Sequence, residues 1–349
     1  RRRVVVTVPS WRAGRDVDLP EDLVEEVGRI HGYDRIEPSP LVGALDPVPE
    51  EPRRVARRRA RSALSGACGL AEIYVYPFTT AAECHRAEVT PGALAVRNAE
   101  HPGLDLLAGS LLPNLLRSVR ESLKYRDEAP LYVVAPVFLK EEAAQGLPRE
   151  NERVGVAVAR RRGADVALEV KGVVETVLDA FRLRGARVDQ REGPPWLHPG
   201  RSARLAHGPE VLGWFGQLHP RVARAFEIDA EVGIADLDLD ALAAAEPGSG
   251  RMAPVSRYPT VAYDVAVVVD RRIPAAAVEE ALRAADREHV RSARLFDVYE
   301  AASLGPGKRS LAFRVILGSM ERTLAPADVE RLHRAVNEAI ARRGWSLRA

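Results

Sequence analysis

Four carboxylates near the start of the chain have spacing that could hold a hard cation. Asp22, Glu25 and Glu26 fall at i, i+3 and i+4 on one helical face, and Asp16 lies six residues ahead of Asp22. Mg²⁺ takes oxygen ligands and keeps several waters, so three clustered carboxylates with a fourth from the preceding loop suit it. A plainer reading stands beside this one. Acids in a first helical turn complement the helix dipole, and Glu25 with Arg29 has the i, i+4 spacing of a surface ion pair.

A second group lies near the other end. In the β-type run Arg291–Tyr299, alternation places Phe296 and Val298 on one face and Asp297 and Tyr299 on the other. In Arg309–Leu317, Leu311, Phe313 and Val315 share a face, opposite Ser310, Ala312 and Arg314. If the flanking helices cover the apolar face, Asp297, Tyr299, Ser310 and Arg314 share an open one. An aromatic ring with hydrogen-bonding and cationic neighbours can stack on and read an unpaired base. A solvated sheet face is equally compatible with the alternation.

Signatures of self-contained catalysis are thin. Gly305-Pro-Gly-Lys308 lacks phosphate-loop spacing and sits between two strands. There is no Gly-x-Ser-x-Gly elbow and no His-Glu-x-x-His helix. His198 and His219 each precede a proline in a turn and are expected to be structural. The arginine run at 53–61 could contact RNA or a partner subunit, or form a solvated helix face.

The elements that must position these residues follow from periodicity. Val4–Val8 reads as a strand, and Pro20–Ile30 as a helix with Leu23, Val24, Val27 and Ile30 inward. Leu41–Pro52, with its prolines, reads as a linker. Helices are predicted over Arg53–Leu64, Leu111–Tyr125 and Gly172–Leu183, and strands over Gly69–Phe78, Leu131–Leu139 and Val154–Ala159. Trp196–Arg201 and Gly213–Pro220 each read as the end of a strand in a tight turn. From Pro254 onward the order is strand, helix, strand, strand, helix, strand, the split βαβ or ferredoxin-like arrangement.

At 349 residues the chain can build two or three domains with sizeable cores. A formal charge of +2 gives no global pull on nucleic acid, so any such site must be local. Cys68 and Cys84 form neither a zinc pattern nor a disulfide framework, which fits a reducing, cytoplasmic setting. No apolar run has membrane-spanning length, so no membrane partner is expected. The opening Arg-Arg-Arg-Val-Val-Val reads as a strand entered midway, as in a fragment.

Taken in order, the wording of these segments resembles the C-terminal half of the bacterial phenylalanyl-tRNA synthetase β subunit. The matching stretches are Pro9-Ser-Trp-Arg12, Asp22-Leu-Val-Glu-Glu-Val27, Gly32-Tyr-Asp-Arg-Ile36, Ser110-Leu-Leu-Pro113 and Lys171-Gly-Val-Val-Glu175. They continue with Leu197-His-Pro-Gly-Arg-Ser202, Gly216-Gln-Leu-His-Pro220, Pro254-Val-Ser-Arg-Tyr-Pro259, Leu295-Phe-Asp-Val-Tyr299, Lys308-Arg-Ser-Leu-Ala-Phe313 and Glu321-Arg-Thr-Leu324. Each is weak alone; the set, in this order, is specific.

The resemblance implies an α+β multidomain chain. Residues 1–40 would be the C-terminal part of a B5-type module of DNA-binding fold, 41–52 a linker, and 53–245 a non-catalytic class II synthetase-like core. Residues 246–253 would be a second linker and 254–349 a ferredoxin-fold anticodon-binding domain. It implies the β subunit of an (αβ)₂ ligase that joins phenylalanine to tRNA(Phe) with ATP and Mg²⁺, with catalysis in the α subunit. The family's Mg²⁺-associated carboxylates fall on Asp16, Asp22, Glu25 and Glu26, and its anticodon-contacting positions on Asp297, Tyr299 and Ser310. Alternatives of another class are a non-catalytic RNA-binding module or a structural paralogue on the same platform.

The sequence departs from the family at several points. The interval from Trp11-Arg12 to Asp16 is longer than usual. Ala108, Val133 and Pro136 replace an Arg, a Glu and an Arg, so this core is expected to bind no ATP by itself; the alternative is that those charges are structural contacts, whose loss would alter its packing or its α-subunit contacts. Ala325 replaces a helix-capping Ser or Thr, which costs about 1 kcal/mol if nothing compensates.

Overall fold

A computed structural model of the chain describes residues 3–43, 46–91, 94–99, 103–142, 146–163, 165–183, 185–189, 193–245 and 254–348. The expected linker at 246–253 lies outside them. The chain divides into two compact units, Arg1–Gly248 and Ser249–Ala349.

The first unit begins with helix α1 (Pro20–His31), which Pro20 opens and Gly32 ends at a positive φ. None of its residues is buried, and Val24, Val27 and Ile30, expected inward, are exposed. The periodicity correctly marks an amphipathic helix, but no described residue covers its apolar stripe. Val4–Val8 likewise forms no strand, and Val4, Val5 and Val6 stand exposed. An isolated β run has no ladder partner to satisfy its backbone groups, so propensity alone does not make it a strand.

The remainder of this unit is a sheet covered on both faces. Its elements are α2 (Pro52–Arg61), β1 (Ala71–Glu72), β2 (Phe78–Thr79), α3 (Ala81–Arg86), β3 (Leu106–Leu107), α4 (Leu112–Leu123), β4 (Glu128–Glu142) and β5 (Pro148–Arg160). They continue with α5 (Val166–Phe181), β6 (Arg187–Asp189), β7 (Leu197–His207), β8 (Glu210–Leu218), α6 (Pro220–Ala225), β9 (Glu231–Asp238) and α7 (Leu239–Ala244). The seven-stranded sheet runs β1-β4-β5-β9-β8-β7-β6, antiparallel except for the short β1–β4 pair. Apolar side chains on α2, α5 and α7 pack one sheet face, and those on α4 and α6 pack the other.

Sequence explains the main helices. Pro113 opens α4, whose Leu112, Leu115, Leu116, Val119 and Leu123 are buried at helical spacing. Asp165 caps α5 by accepting hydrogen bonds from Ala167 and Leu168 N–H, and Val166, Val170, Val173, Val174, Val177 and Phe181 form its buried stripe. The expected single strand at 69–78 is instead two short pieces, β1 and β2. The stretch from Leu197 opens β7 rather than ending a strand, because Leu197 already pairs with Leu218 on β8.

The second unit consists of β10 (Val261–Asp270), α8 (Ala275–Ala284), β11 (Val290–Tyr299), β12 (Lys308–Leu317), α9 (Pro326–Ala341) and β13 (Ser346–Leu347). The sheet order is β11-β12-β10-β13, and the connectivity is the split βαβ expected from the sequence. Val265, Val267, Val269, Leu311, Phe313, Val315 and Leu317 project from one face onto Val278, Leu282, Leu332, Val336 and Ile340 of the two helices. Phe313 at the centre is fully buried, so truncating it to Ala would cost about 3–5 kcal/mol. The other face carries no helix of this unit.

Candidate nucleic-acid interface

That uncovered face is set by the register of the ladder. Asp264 pairs with Arg314, Ala266 with Ala312 and Val268 with Ser310 across β10 and β12. On the far side of β12, Arg314 pairs with Arg294, Ala312 with Asp297 and Ser310 with Tyr299. Directly opposed residues of an antiparallel pair project to the same side, so these rows lie on one face. Two alanines give it a low centre.

Asp297, Tyr299 and Arg314 thus share a face, as alternation predicts. Asp297 is exposed and makes no ion pair among the described residues. Tyr299 is 40% exposed, and the Arg348 guanidinium, following β13, sits 4.1 Å from its ring centre. The Arg348 N–H donates to the Ala266 carbonyl at 2.9 Å, which fixes the end of the chain beside β10. Arg314 makes a two-pronged ion pair with Asp264, each N–O distance 2.9 Å, and this pair holds Asp264 below the usual carboxylate range.

Two expectations about this face need correcting. Ser310 lies in the right row, directly opposite Tyr299, but is only 2% exposed, so its side chain is covered rather than presented. Phe296 does not turn to the helix side with Val298. The register shifts between Leu295 and Asp297, leaving Phe296 as the extra residue of a β-bulge. Its ring is 54% exposed and lies 5.5 Å from the Arg314 guanidinium carbon, a contact that places it on the face of Asp297. Strict alternation cannot register an inserted residue; the neighbouring strand reveals it.

The acidic group at α1 is arranged otherwise than a metal site. Asp22 Oδ2 accepts hydrogen bonds from Asp18 N–H and Leu19 N–H, both at 2.7 Å, and so caps the helix start. Those two bonds hold its carboxyl below the ordinary range. Arg12 bridges Asp16 at 2.8 Å and Glu26 at 3.0 Å, and Arg29 reaches Glu26 at 2.7 Å. Arg12, then Arg29, hold Glu26 down at about 2. Glu25 is exposed and makes no ion pair among the described residues. Among the described residues no group of three or more His, Cys, Asp or Glu is gathered to hold a metal ion. A guanidinium already neutralises two of the four carboxylates, so the set does not fit a divalent ion here.

The core shows what the departures from charge produce. Ala108 and Val133 are each 1% exposed, with Val133 among the apolar side chains packed around α4. The Phe138 N–H donates to the Ala108 carbonyl at 2.9 Å. His198 and His219 accept hydrogen bonds through Nδ1 from Gly200 N–H and Arg221 N–H, both at 3.1 Å, which is the turn-forming role expected of them. At α9, Asp328 accepts from the Ala325 N–H at 2.9 Å, so part of the missing cap is recovered three residues later.

Comparison with known proteins covers almost the whole chain. Residues 36–239 match the family model "Phenylalanyl tRNA synthetase beta chain CLM domain", 256–348 match "Ferredoxin-fold anticodon binding domain", and 1–33 match "tRNA synthetase B5 domain". The phenylalanine–tRNA ligase β subunit of Syntrophotalea carbinolica is 33% identical over 364 residues, covering 99% of this chain and 44% of that protein. That of Geobacillus kaustophilus is 34% identical over 351 residues, covering 96% of this chain and 42% of that protein. The chain therefore spans less than half the length of these relatives. A solved pyrrolysyl tRNA synthetase of Desulfitobacterium hafniense superposes on 54% of the chain and 66% of its own at a TM-score of 0.45 and 16% identity, too slight a likeness to build on.

Proposed function

The chain belongs to the phenylalanyl-tRNA synthetase β-chain family, and from that premise we propose that it is the C-terminal part of a β subunit that binds the anticodon of tRNA(Phe). In this reading it also supports a catalytic α subunit in an (αβ)₂ ligase of the cytoplasm, with ATP consumed by the assembled enzyme. The observation that carries the anticodon assignment is the uncovered face bearing exposed Asp297 and Tyr299 with Arg348 against the tyrosine ring. It lies within the segment that matches an anticodon-binding family model.

Each group has a role that its chemistry supports. Tyr299 stacks on an unpaired base, and the exposed Asp297 carboxylate accepts hydrogen bonds from base edges or amino groups. Ser310, covered and directly opposite Tyr299, contributes through the seating of that strand pair. We assign residues 53–245 to a class II synthetase-like core that itself carries no catalytic residue. The burial of Ala108 and Val133, where charge would be needed to hold a nucleotide, supports a core that binds no ATP. Residues 1–40 are assigned to the end of a B5-type module, 41–52 and 246–253 to linkers, and 254–349 to the anticodon-binding domain.

Mg²⁺ enters this reading as a participant of the assembled ligase. Asp16, Asp22, Glu25 and Glu26 would be its carboxylates, but Arg12 and the helix cap engage three of them, and no step is drawn through the ion. Among the described residues no helix is long and apolar enough to cross a membrane.

The test has two arms. Mixing the chain with a cognate α subunit should yield a complex, and absence of a complex with any cognate α subunit would overturn the scaffold role. Binding to the phenylalanine anticodon stem-loop should exceed binding to other stem-loops and should fall on Tyr299→Ala. Equal affinity for unrelated RNA would instead favour a general RNA-binding module.

A further inference from the structure

The bulge at Phe296 breaks an ordinary rule of strand design. It removes an aromatic ring from the side that packs on helices and leaves it more than half exposed on the open face. A second rule is broken beside it. Arg294 and Arg314 stand directly opposite each other across β11 and β12, a like-charge pairing that weakens a sheet. Only Arg314 has a carboxylate, Asp264, while Arg294 makes no ion pair among the described residues. A ring still more than half exposed and an arginine with no carboxylate among the described residues point to a ligand that supplies what the fold does not. The ligand indicated by an exposed ring, a flat guanidinium over it and a free cation alongside is a nucleotide: base on the stack, phosphate on the cation.

The two ring–guanidinium pairs flank the alanine row. Tyr299 with Arg348 lies on one side of Ala266 and Ala312, and Phe296 with Arg314 lies on the other. The Asp264 carboxylate grips Arg314 by two nitrogens, which keeps its guanidinium plane available above the ring. Two residues of strand lie between Phe296 and Tyr299, a separation of up to about 10 Å at an ordinary strand rise. Bases stacked on one another sit about 3.4 Å apart, so bases held on both platforms are splayed across the face.

We propose that Phe296 and Arg314 form a second base-stacking platform, so that the open face holds two unpaired RNA bases at once, with Arg294 neutralising backbone phosphate. This rests on the anticodon-binding reading and deepens it. Both members of the new platform lie outside the residues assigned to anticodon contact above.

The test uses the 349-residue chain and the phenylalanine anticodon stem-loop carrying 2-aminopurine at one loop position at a time. Two positions should change fluorescence on binding. Tyr299→Ala should abolish the change at one, and Phe296→Ala or Phe296→Leu at the other, each with about tenfold weaker binding. Phe296→Tyr, which keeps a ring, should preserve both changes, and thermal melting of each variant reports that it folds. Arg294→Gln should weaken binding and flatten its salt dependence without moving either fluorescence change. A single responsive position, sensitive to Tyr299→Ala alone, would overturn the second platform and leave the anticodon reading standing. No response at any loop position, with no stem-loop preference, would remove both.

Discussion

The guanidinium carbon of Arg348 lies 4.1 Å from the centre of the Tyr299 ring, across the two strands that separate β13 from β11. The last described residue of the chain thus covers the aromatic side chain proposed to meet the anticodon. A planar cation can extend a stack, since a base packs on a guanidinium plane as it does on a ring. Arg348→Ala is therefore expected to weaken stem-loop binding about fivefold, roughly 1 kcal/mol. Arg348→Lys should recover the salt dependence but not the full affinity, because an ammonium offers no plane. Fluorescence anisotropy titrations at two salt concentrations read both effects; tighter binding by Arg348→Ala would show that the cation competes with the base.

The first turn of helix α9 holds Asp328, which pairs with Arg322 at 2.6 Å and accepts from the Ala325 N–H. Arg322 first, then that backbone bond, hold its carboxyl at about 2, below the ordinary 3.8. Because the folded value is the lower one, this contribution is fully present above about pH 4 and is lost as pH falls toward 2. Asp328→Asn should remove that part of the acid dependence. Thermal melts of both proteins between about pH 2 and 5 check it; parallel curves would rule the pairing out as a source of acid lability.

Glycines in the first unit divide by what surrounds them. A Cβ on Gly216 would come within 2.3 Å of the Arg201 carbonyl oxygen, and one on Gly233 equally close to that of Val166 on α5. Gly216→Ala or Gly233→Ala should each cost about 2–3 kcal/mol, because backbone rather than a flexible side chain must yield. Gly172, in the middle of α5 with nothing within 4 Å, is the opposite case. Gly172→Ala should stabilise by about 0.5–1 kcal/mol through helix propensity. Denaturant unfolding of the three variants would measure the contrast.

Glu152 is 3% exposed and pairs with Arg57 of α2 at 2.5 Å, which pins that helix to β5. Removing the arginine leaves a buried carboxylate without its cation. Arg57→Met should destabilise by about 2 kcal/mol, and adding Glu152→Gln should recover much of the loss. A double-mutant cycle in denaturant provides the test; additive effects would show that the two do not interact.

Arg12 stands where a cation would sit between Asp16 and Glu26. Mg²⁺ added to the isolated chain should give no saturable binding at these carboxylates, whereas Arg12→Ala should create weak divalent binding. Relaxation enhancement with Mn²⁺ as the probe distinguishes the two. Saturable binding by the unaltered chain, lost on Asp16→Asn, would show that the ion displaces Arg12.

The sequence by itself determined the second unit's topology, the helical stripes of α4 and α5, and which side of β12 packs inward. These follow from local periodicity, since apolar residues at helical or alternating spacing must share a buried face wherever the element lies. It also determined that Asp297, Tyr299 and Arg314 share a side, and the family-specific wording of the segments. Tertiary structure decided the rest. The bulge that turns Phe296 outward depends on how β11 registers against β12, the covering of Ser310 depends on its neighbours, and Arg348 reaches Tyr299 only because β13 docks on β10. The competition of Arg12 for Asp16 and Glu26 arises the same way. A pattern within one element states which residues share a face, but contacts between elements depend on register and on which long side chain arrives first, and neither is written in local spacing.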